Sequence, residues 1–215
     1  MPNWVTTKIN ATTEVIQALL NEECQVDFQQ IAPYPGTFTW NGVYGDAETA
    51  AELVCAVPVS DHPLLADLQR HGRSRVNAVQ MSDESFEQFV QMLRNKRITG
   101  YFHTMDFARD VWGTKWNACR PKHDLEAGTA EFETAWSFPE PILLKLSQRF
   151  PDTPIHVQYA DEDIGSNCGE LTFLGGAATA RNEAGNWNSM SPEDRNRWTA
   201  FAYQVTGAEP EPDEE

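Results

Sequence analysis

The segment that decides the fold is Thr129–Ala160, TAEFETAWSFPEPILLKLSQRFPDTPIHVQYA. Its first part alternates, with Ala130 and Phe132 suited to one face of a strand and Glu131 and Glu133 to the other. SFPEPILLKLSQRF then combines a capping box at its start with an apolar stripe, which is typical of an amphipathic helix. PIHVQYA alternates again. The segment therefore predicts a strand, a helix and a second strand in succession.

The flanking segments extend this pattern on both sides. NWVTTKIN predicts a strand and TTEVIQALLNEE a helix, while MDFARDVW predicts a helix that Gly113 ends. KWNAC then predicts a strand, joined to TAEFETAWS as a hairpin by the loop RPKHDLEAG. ELTFLGG predicts one more strand, LGGAATARNEAG is interpreted as turns, and a last helix begins at Ser191. The predicted class is α+β, with a ferredoxin-like split β-α-β sheet and an added C-terminal strand and helix.

The middle of the chain, at about 25–100, breaks this regular order and is predicted to be a helical or irregular insertion. HPLLADLQRHG predicts a short helix stopped by Gly72. SDESFEQFVQMLRN predicts a longer helix with Ser82 as its N-cap and an apolar face that includes Phe86, Phe89, Val90 and Leu93. We therefore expect one ferredoxin-like domain over residues 1–206, followed by an acidic disordered tail at 207–215.

Charge and cysteine content exclude several classes of protein. Thirty-two Asp and Glu against sixteen Lys and Arg give a net charge of −16, which repels a phosphate backbone and argues against direct nucleic-acid binding. The four cysteines have no paired spacing, and the histidines lack metal-ligand spacing, so the sequence predicts no metal and no cofactor. No segment resembles a signal peptide or a membrane span, and we expect a protein of the bacterial cytoplasm that does not bind membranes.

Five co-linear motifs carry a family resemblance: MPNW at the start, FQQIAPYP at 28–35, WGTKWNA at 112–118, TAWSFPEP at 134–141 and DEDIGSNCGE at 161–170. Together they resemble the YubB/Api92-like family of plasmid- and phage-borne proteins. The resemblance implies a ferredoxin-like domain and a mobile-element setting. It assigns no biochemical activity, and so it identifies no catalytic residue in this chain.

The candidate functional residues are polar side chains that the predicted strands direct to solvent. Four tryptophans, at positions 4, 112, 116 and 136, are interpreted as core because inward aromatic residues are ordinary on strands. Strand alternation then directs other side chains away from the core. The predicted interaction surface consists of Glu131, Glu133, Asp161, Glu162, Asp163, Lys115 and Asn117.

Three classes of function remain open on the sequence. The first is a non-enzymatic accessory protein of a phage or plasmid that binds and inhibits a host protein with a basic surface, by DNA mimicry if its carboxylates form a continuous stripe. The second is an enzyme of unknown reaction with a cleft near Trp116, Lys115, His156 and Cys168, where a thiol would need a nearby base. The third is an RNA-binding ferredoxin-like module, which the acidic charge disfavours. The oligomeric state is left open.

Removal of residues 207–215 is expected to leave folding unchanged, because GAEPEPDEE contains no large apolar side chain to bury. Thermal unfolding of the truncated and complete chains measures this directly. A melting temperature several degrees lower in the truncated chain would contradict the disorder of the tail.

Overall fold

The computed structural model describes residues 2–209, so most of the predicted tail, residues 210–215, lies outside the described residues. The described residues divide into two compact units, one formed by residues 2–33 and 108–209 and the other by residues 34–107. The elements in chain order are β1 (Trp4–Asn10), α1 (Thr13–Ala18), α2 (Gly45–Val54), α3 (Pro63–Arg75), α4 (Asp83–Thr99), α5 (Thr104–Val111), β2 (Cys119–Asp124), β3 (Thr129–Ala135), α6 (Glu140–Arg149), β4 (Ile155–Asp161), β5 (Cys168–Leu174), β6 (Ala177–Glu183) and α7 (Pro192–Thr206).

The first unit is built on a six-stranded antiparallel sheet in the order β2-β3-β1-β4-β5-β6. Its first four strands, with α1 following β1 and α6 following β3, reproduce the split β-α-β arrangement. The α+β, ferredoxin-like fold predicted from the sequence is therefore confirmed. β5 and β6 extend the sheet beyond β4.

One face of the sheet forms the apolar core of this unit. Val5 and Ile9 on β1 lie opposite Thr134 and Ala130 of β3, and all four are buried. Alternate residues of β4 and β5 continue the same face with Val157 opposite Leu171. α1 packs on β3, while α6 packs on β5 and β6. The two-residue alternation in the sequence therefore identifies the side chains on the face of the sheet that the helices cover.

The opposite face is covered at one end by α7. Trp198, Ala202 and Val205 of that helix form a buried cluster with Ala160 of β4 and Cys168 of β5. Ser191 caps the helix, because its hydroxyl accepts a hydrogen bond from the Asp194 N–H, as the sequence predicted for a helix starting there. The rest of this face is polar.

The structure corrects the strand boundaries on both sides of the sheet. KWNAC is not a strand, because β2 begins only at Cys119 and includes residues predicted as loop. LGGAATARNEAG is not a series of turns, because Ala177–Glu183 pairs with β5 along its length. β6 is rich in alanine and polar residues, and its burial pattern is mostly exposed, so pairing rather than burial makes it a strand.

The helices of the second unit also differ from their predicted limits and faces. α3 continues through Gly72 to Arg75, since one glycine weakens a helix without ending it. α4 has Ser82 as its N-cap, as predicted, yet Phe86 is 46% exposed, whereas Gln88 and Asn95 are buried. The two buried amides bond backbone groups of neighbouring loops. The hydrogen bonds of these buried amides therefore determine which face of α4 is buried. The spacing of apolar residues in the sequence does not reveal them.

Within residues 2–209, no helix has the length and apolar character needed to cross a membrane.

Trp112→Ala is expected to lower the free energy of unfolding by about 3–5 kcal/mol, the usual cost of removing a buried aromatic side chain. The Trp112 side chain is 2% exposed, contacts Phe28 edge-on, and donates its indole N–H to the carbonyl of Ala32. Urea unfolding of the variant measures the loss, with Trp116→Ala as the matched control. Equal losses in the two variants would contradict the assignment of Trp112 to the core and Trp116 to the surface.

Candidate functional site

Three tryptophans that are distant in sequence meet at one edge of the sheet. Trp4 begins β1, Trp136 directly follows β3, and Trp116 precedes β2. The ring centroids of Trp4 and Trp116 are 6.3 Å apart, and those of Trp116 and Trp136 are 5.2 Å apart. We call these three side chains the tryptophan surface. They meet because β1 and β3 are antiparallel, with Trp4 opposite Ala135, so the start of one strand lies beside the end of the other.

Two of the three side chains are substantially exposed. Trp116 is 36% exposed and Trp136 is 46% exposed, whereas Trp112 is buried. The prediction that all four tryptophans are core is therefore wrong for these two. Trp116 lies in the irregular segment before β2, so the alternation assumed for KWNAC does not direct its ring inward.

The backbone at Trp136 is strained. Its φ is +64°, a left-handed conformation that bulky side chains rarely adopt. The conformation is held by a hydrogen bond from the Trp136 N–H to the carbonyl of Asn3, and by the Thr134 hydroxyl, which donates to the carbonyl of Ser137. Strain of this kind costs on the order of 1 kcal/mol and is concentrated at functional sites.

Two cations lie against the aromatic rings. The Lys115 ammonium lies 5.1 Å from the ring centroids of both Trp116 and Trp136. The Arg120 guanidinium lies 5.4 Å from the ring of Trp4 and also pairs with Glu133. The positive φ of Arg120, at the irregularity in the pairing of β2 with β3, accompanies this placement. The faces of these rings therefore accept cations.

A small cavity of about 510 Å³ lies beside Trp136. Arg109 and Lys115 line it together with the hydroxyl-bearing residues Thr114 and Ser137. Both hydroxyls donate to backbone carbonyls, Thr114 to Ala135 and Ser137 to Gly113. These bonds tie the segment before β2 to the turn after β3, and they hold in place the backbone that carries Trp116 and Trp136.

The predicted acidic residues fall into two groups. Glu131 pairs with Lys8 and Lys122, and Glu133 pairs with Arg120, so neither carboxylate is left unneutralised. Glu162 and Asp163 are exposed beside the tryptophan surface, and the Glu162 N–H donates to the carbonyl of Trp4. The second group is the one that the fold brings to the tryptophans.

Asp161 and Asn117 have structural partners. Asp161 was expected to face water, and this is wrong, because it is 5% exposed and accepts hydrogen bonds from the Asn167 side chain and the Asp163 N–H. Asn117 accepts a hydrogen bond from the Phe28 N–H and donates to the Asp27 carboxylate. These bonds hold the loop after β4 and the segment before β2 in place.

The residues considered for nucleophilic catalysis are not brought together. His156 is exposed on β4, where its ring bonds the Thr172 hydroxyl, whereas Cys168 pairs with Ala160, about 13 Å further along the same strand. The Cys168 side chain is buried under α7, and burial raises its pKa to about 11. A thiol that stays protonated and covered does not act as a nucleophile near neutral pH.

The polar part of the sheet forms a trough of about 940 Å³ that the sequence did not predict. Some of its side chains bond one another, since Lys8 pairs with Glu131 and Asn182 donates to Glu170. Among the described residues that line it, none is Phe, Tyr or Trp. RNA-binding sheets of this fold use aromatic residues to stack bases, so the trough does not favour the RNA-binding alternative.

A match to a family model agrees with this fold. Residues 111–200 match the family model described as the ferredoxin-like domain in Api92-like protein, which confirms the resemblance predicted from the sequence. The crystal structure of a protein api92 from Yersinia pseudotuberculosis is similar with 12% sequence identity and a TM-score of 0.41, over 86% of this chain and 99% of that chain. No curated protein matches the sequence.

Cys168 is expected to resist iodoacetamide in the folded protein, while the exposed Cys24 and Cys55 react. Because burial raises the pKa of Cys168 from 9.0 to about 11, its contribution to stability is fully present below pH 9.0 and is lost as the pH rises to about 11. Peptide mass spectrometry before and after unfolding, and thermal unfolding across that pH range, measure the two effects. Rapid alkylation of Cys168 in the folded protein would contradict them.

Proposed function

From the premise that residues 111–200 carry the ferredoxin-like domain of Api92-like proteins, we propose that this chain is a binding protein rather than an enzyme. Its docking surface is the tryptophan surface, and its partner is a protein with a basic, arginine-bearing face. The observation that carries this is the exposure of Trp116 and Trp136 in mutual contact, with one of them held in a strained backbone conformation.

The geometry of the rings favours a protein partner. Adjacent ring planes are tilted by 43° and 48°, so the three rings do not form a flat platform for a base or a sugar. An irregular aromatic surface is instead typical of protein interfaces, where Trp and Arg supply most of the binding energy. The exposed rings therefore suit insertion into the uneven surface of another protein.

The electrostatics favour a basic partner. Lys115 contacts two of the rings, which indicates that the ring faces attract a cation, and a partner arginine would take the place of Lys115 there. The exposed carboxylates of Glu162 and Asp163 flank the tryptophans and suit the same arginine. The net charge of −16 adds a long-range attraction that accelerates the encounter.

The resemblance that implies a phage or plasmid setting makes a host protein the natural partner, and inhibition of a host defence or nucleic-acid-handling protein follows as the biological role. DNA mimicry receives less support. Glu131 and Glu133 are neutralised by Lys8, Lys122 and Arg120, whereas a DNA mimic needs an uninterrupted stripe of carboxylates. Docking is therefore attributed to the aromatic surface, with the acidic residues as its rim.

Trp116→Ala combined with Trp136→Gly is expected to abolish partner capture from host-cell lysate while leaving the fold intact. Glycine suits the positive φ of position 136, so this substitution is expected to leave the melting temperature unchanged or to raise it. The control is Phe86→Ala, because Phe86 is 46% exposed and belongs to the unit formed by residues 34–107. The measurement is the recovery of one stoichiometric partner by each immobilised variant.

Reversal of Glu162 and Asp163 to lysine is expected to slow association with the captured partner, and added salt is expected to do the same for the original chain. Purified partner and biolayer interferometry give both rates. Capture that survives loss of the two tryptophans, or that Phe86→Ala abolishes equally, would refute the proposed docking surface.

A further inference from the structure

Another exposed tryptophan, Trp187, lies at the same edge of the sheet as the tryptophan surface. It is 37% exposed, which is close to the 36% of Trp116, and it belongs to the segment between β6 and α7. Its ring lies against Gly165, where an added Cβ would be 2.6 Å from the Trp187 Cζ3. Gly165 is part of the loop 162–167, which joins the end of β4 to the start of β5. Because β1 and β4 are antiparallel, this loop and the start of β1 share one edge.

The loop 162–167 connects Trp187 to the tryptophan surface. At its start, the Glu162 N–H donates to the carbonyl of Trp4 over 2.9 Å. Three residues later, Gly165 contacts the Trp187 ring. Three residues span at most about 11 Å, whereas a standard interface of about 800 Å² per partner is roughly 30 Å across. One protein partner is therefore large enough to cover the tryptophan surface, the loop and Trp187 together.

The Trp187 side chain is held in place although it is exposed. The Arg195 guanidinium lies 5.4 Å from its ring centroid, and the Arg195 Nε donates to the Trp187 carbonyl. Gly165 has a φ of +91°, which glycine adopts without strain, and the absence of a Cβ lets the loop backbone approach the ring. An aromatic side chain that is ordered before binding loses little conformational entropy on association. Trp is also among the residue types that contribute most to binding energy at protein interfaces.

We propose that Trp187 is a second docking point for the partner of the tryptophan surface, so that the acidic loop lies between two aromatic contacts. This inference rests on the proposed function, because it takes its partner from there. The exposed carboxylates of Glu162 and Asp163 suit arginine side chains, and the aromatic contacts on both sides suit apolar pockets. The partner that fits is therefore a protein whose basic segment has an apolar pocket on each side.

Fluorine NMR of the chain with fluorinated tryptophan tests this without altering the docking surface by substitution. Each of the seven tryptophans gives one resonance, which replacement by phenylalanine assigns. During titration with the purified partner, the resonances of Trp116, Trp136 and Trp187 are expected to shift, whereas that of the buried Trp112 is expected to stay unchanged. Shifts of Trp116 and Trp136 without a shift of Trp187 would overturn this inference and leave the tryptophan surface supported.

Substitution of Trp187 tests its contribution to affinity. Trp187→Ala is expected to weaken binding of the purified partner by about tenfold or more, as truncation of an interface tryptophan commonly does. Trp187→Phe is expected to retain most of the affinity, because it keeps a ring beside Gly165, and the control Phe86→Ala is expected to retain all of it. Biolayer interferometry measures the affinities, and thermal unfolding shows whether each variant is folded.

The outcomes separate this inference from the proposed function. An unchanged affinity of Trp187→Ala, together with lost capture by the variant that lacks Trp116 and Trp136, would refute the second docking point alone. Full capture by both variants would refute both proposals, as would the absence of any stoichiometric partner. If Trp187→Ala does not fold, the fluorine titration decides, because it is made on the unsubstituted chain.

Discussion

The antiparallel pairing of β1 with both β3 and β4 is the constraint on which the rest of the first unit depends. β1 lies between these strands, with Val5 opposite Thr134 on one side and Asp161 on the other. Because both neighbours run against it, the start of β1 meets the ends of β3 and β4 at one edge. The tryptophans that flank β1 and β3, and the acidic loop after β4, are therefore brought together by topology before any side chain contributes. The candidate site is a consequence of the strand order.

Local patterns predicted much of this fold, because strands with one buried face alternate and because Ser82 and Ser191 cap α4 and α7 as the sequence indicated, although the capping box predicted at Ser137 does not form. They failed where a residue's environment is set by distant partners. β6 has no apolar alternation, and its pairing with β5 defines it. Gln88 is buried on α4 because it bonds Gly42 and Tyr44 across a loop, while the more apolar Phe86 stays exposed. Periodicity counts hydrophobic residues, and it contains no information on which amides find backbone partners.

For the candidate site as well, the sequence reveals the composition but not which side chains contact one another. The net charge of −16 describes the whole chain and does not identify which carboxylates are ion-paired. In the structure Glu131 and Glu133 pair with lysine and arginine, whereas Glu162 and Asp163 do not. Nor does the sequence distinguish Trp112 from Trp116, which share a motif and differ in burial. Trp112 directly follows α5 and packs on Phe28, whereas Trp116 lies further along, in the irregular segment before β2. The acidic charge led to the prediction of a binding protein, but the sequence did not identify the tryptophan surface that is proposed here for docking.

The tryptophan surface is costly for the folded chain, and this cost is the observation that supports the proposed docking role most strongly. Trp136 occupies a backbone conformation that glycine adopts without strain, and nearly half of its side chain remains in water. Neither feature stabilises the fold, and a smaller residue at this position would remove both costs. The hydroxyl bonds of Thr114 and Ser137 nevertheless hold the surrounding backbone in place. Because this backbone is held in place, the exposed aromatic side chains are partly ordered before any partner binds. Association would then lose less conformational entropy than it would on a flexible surface.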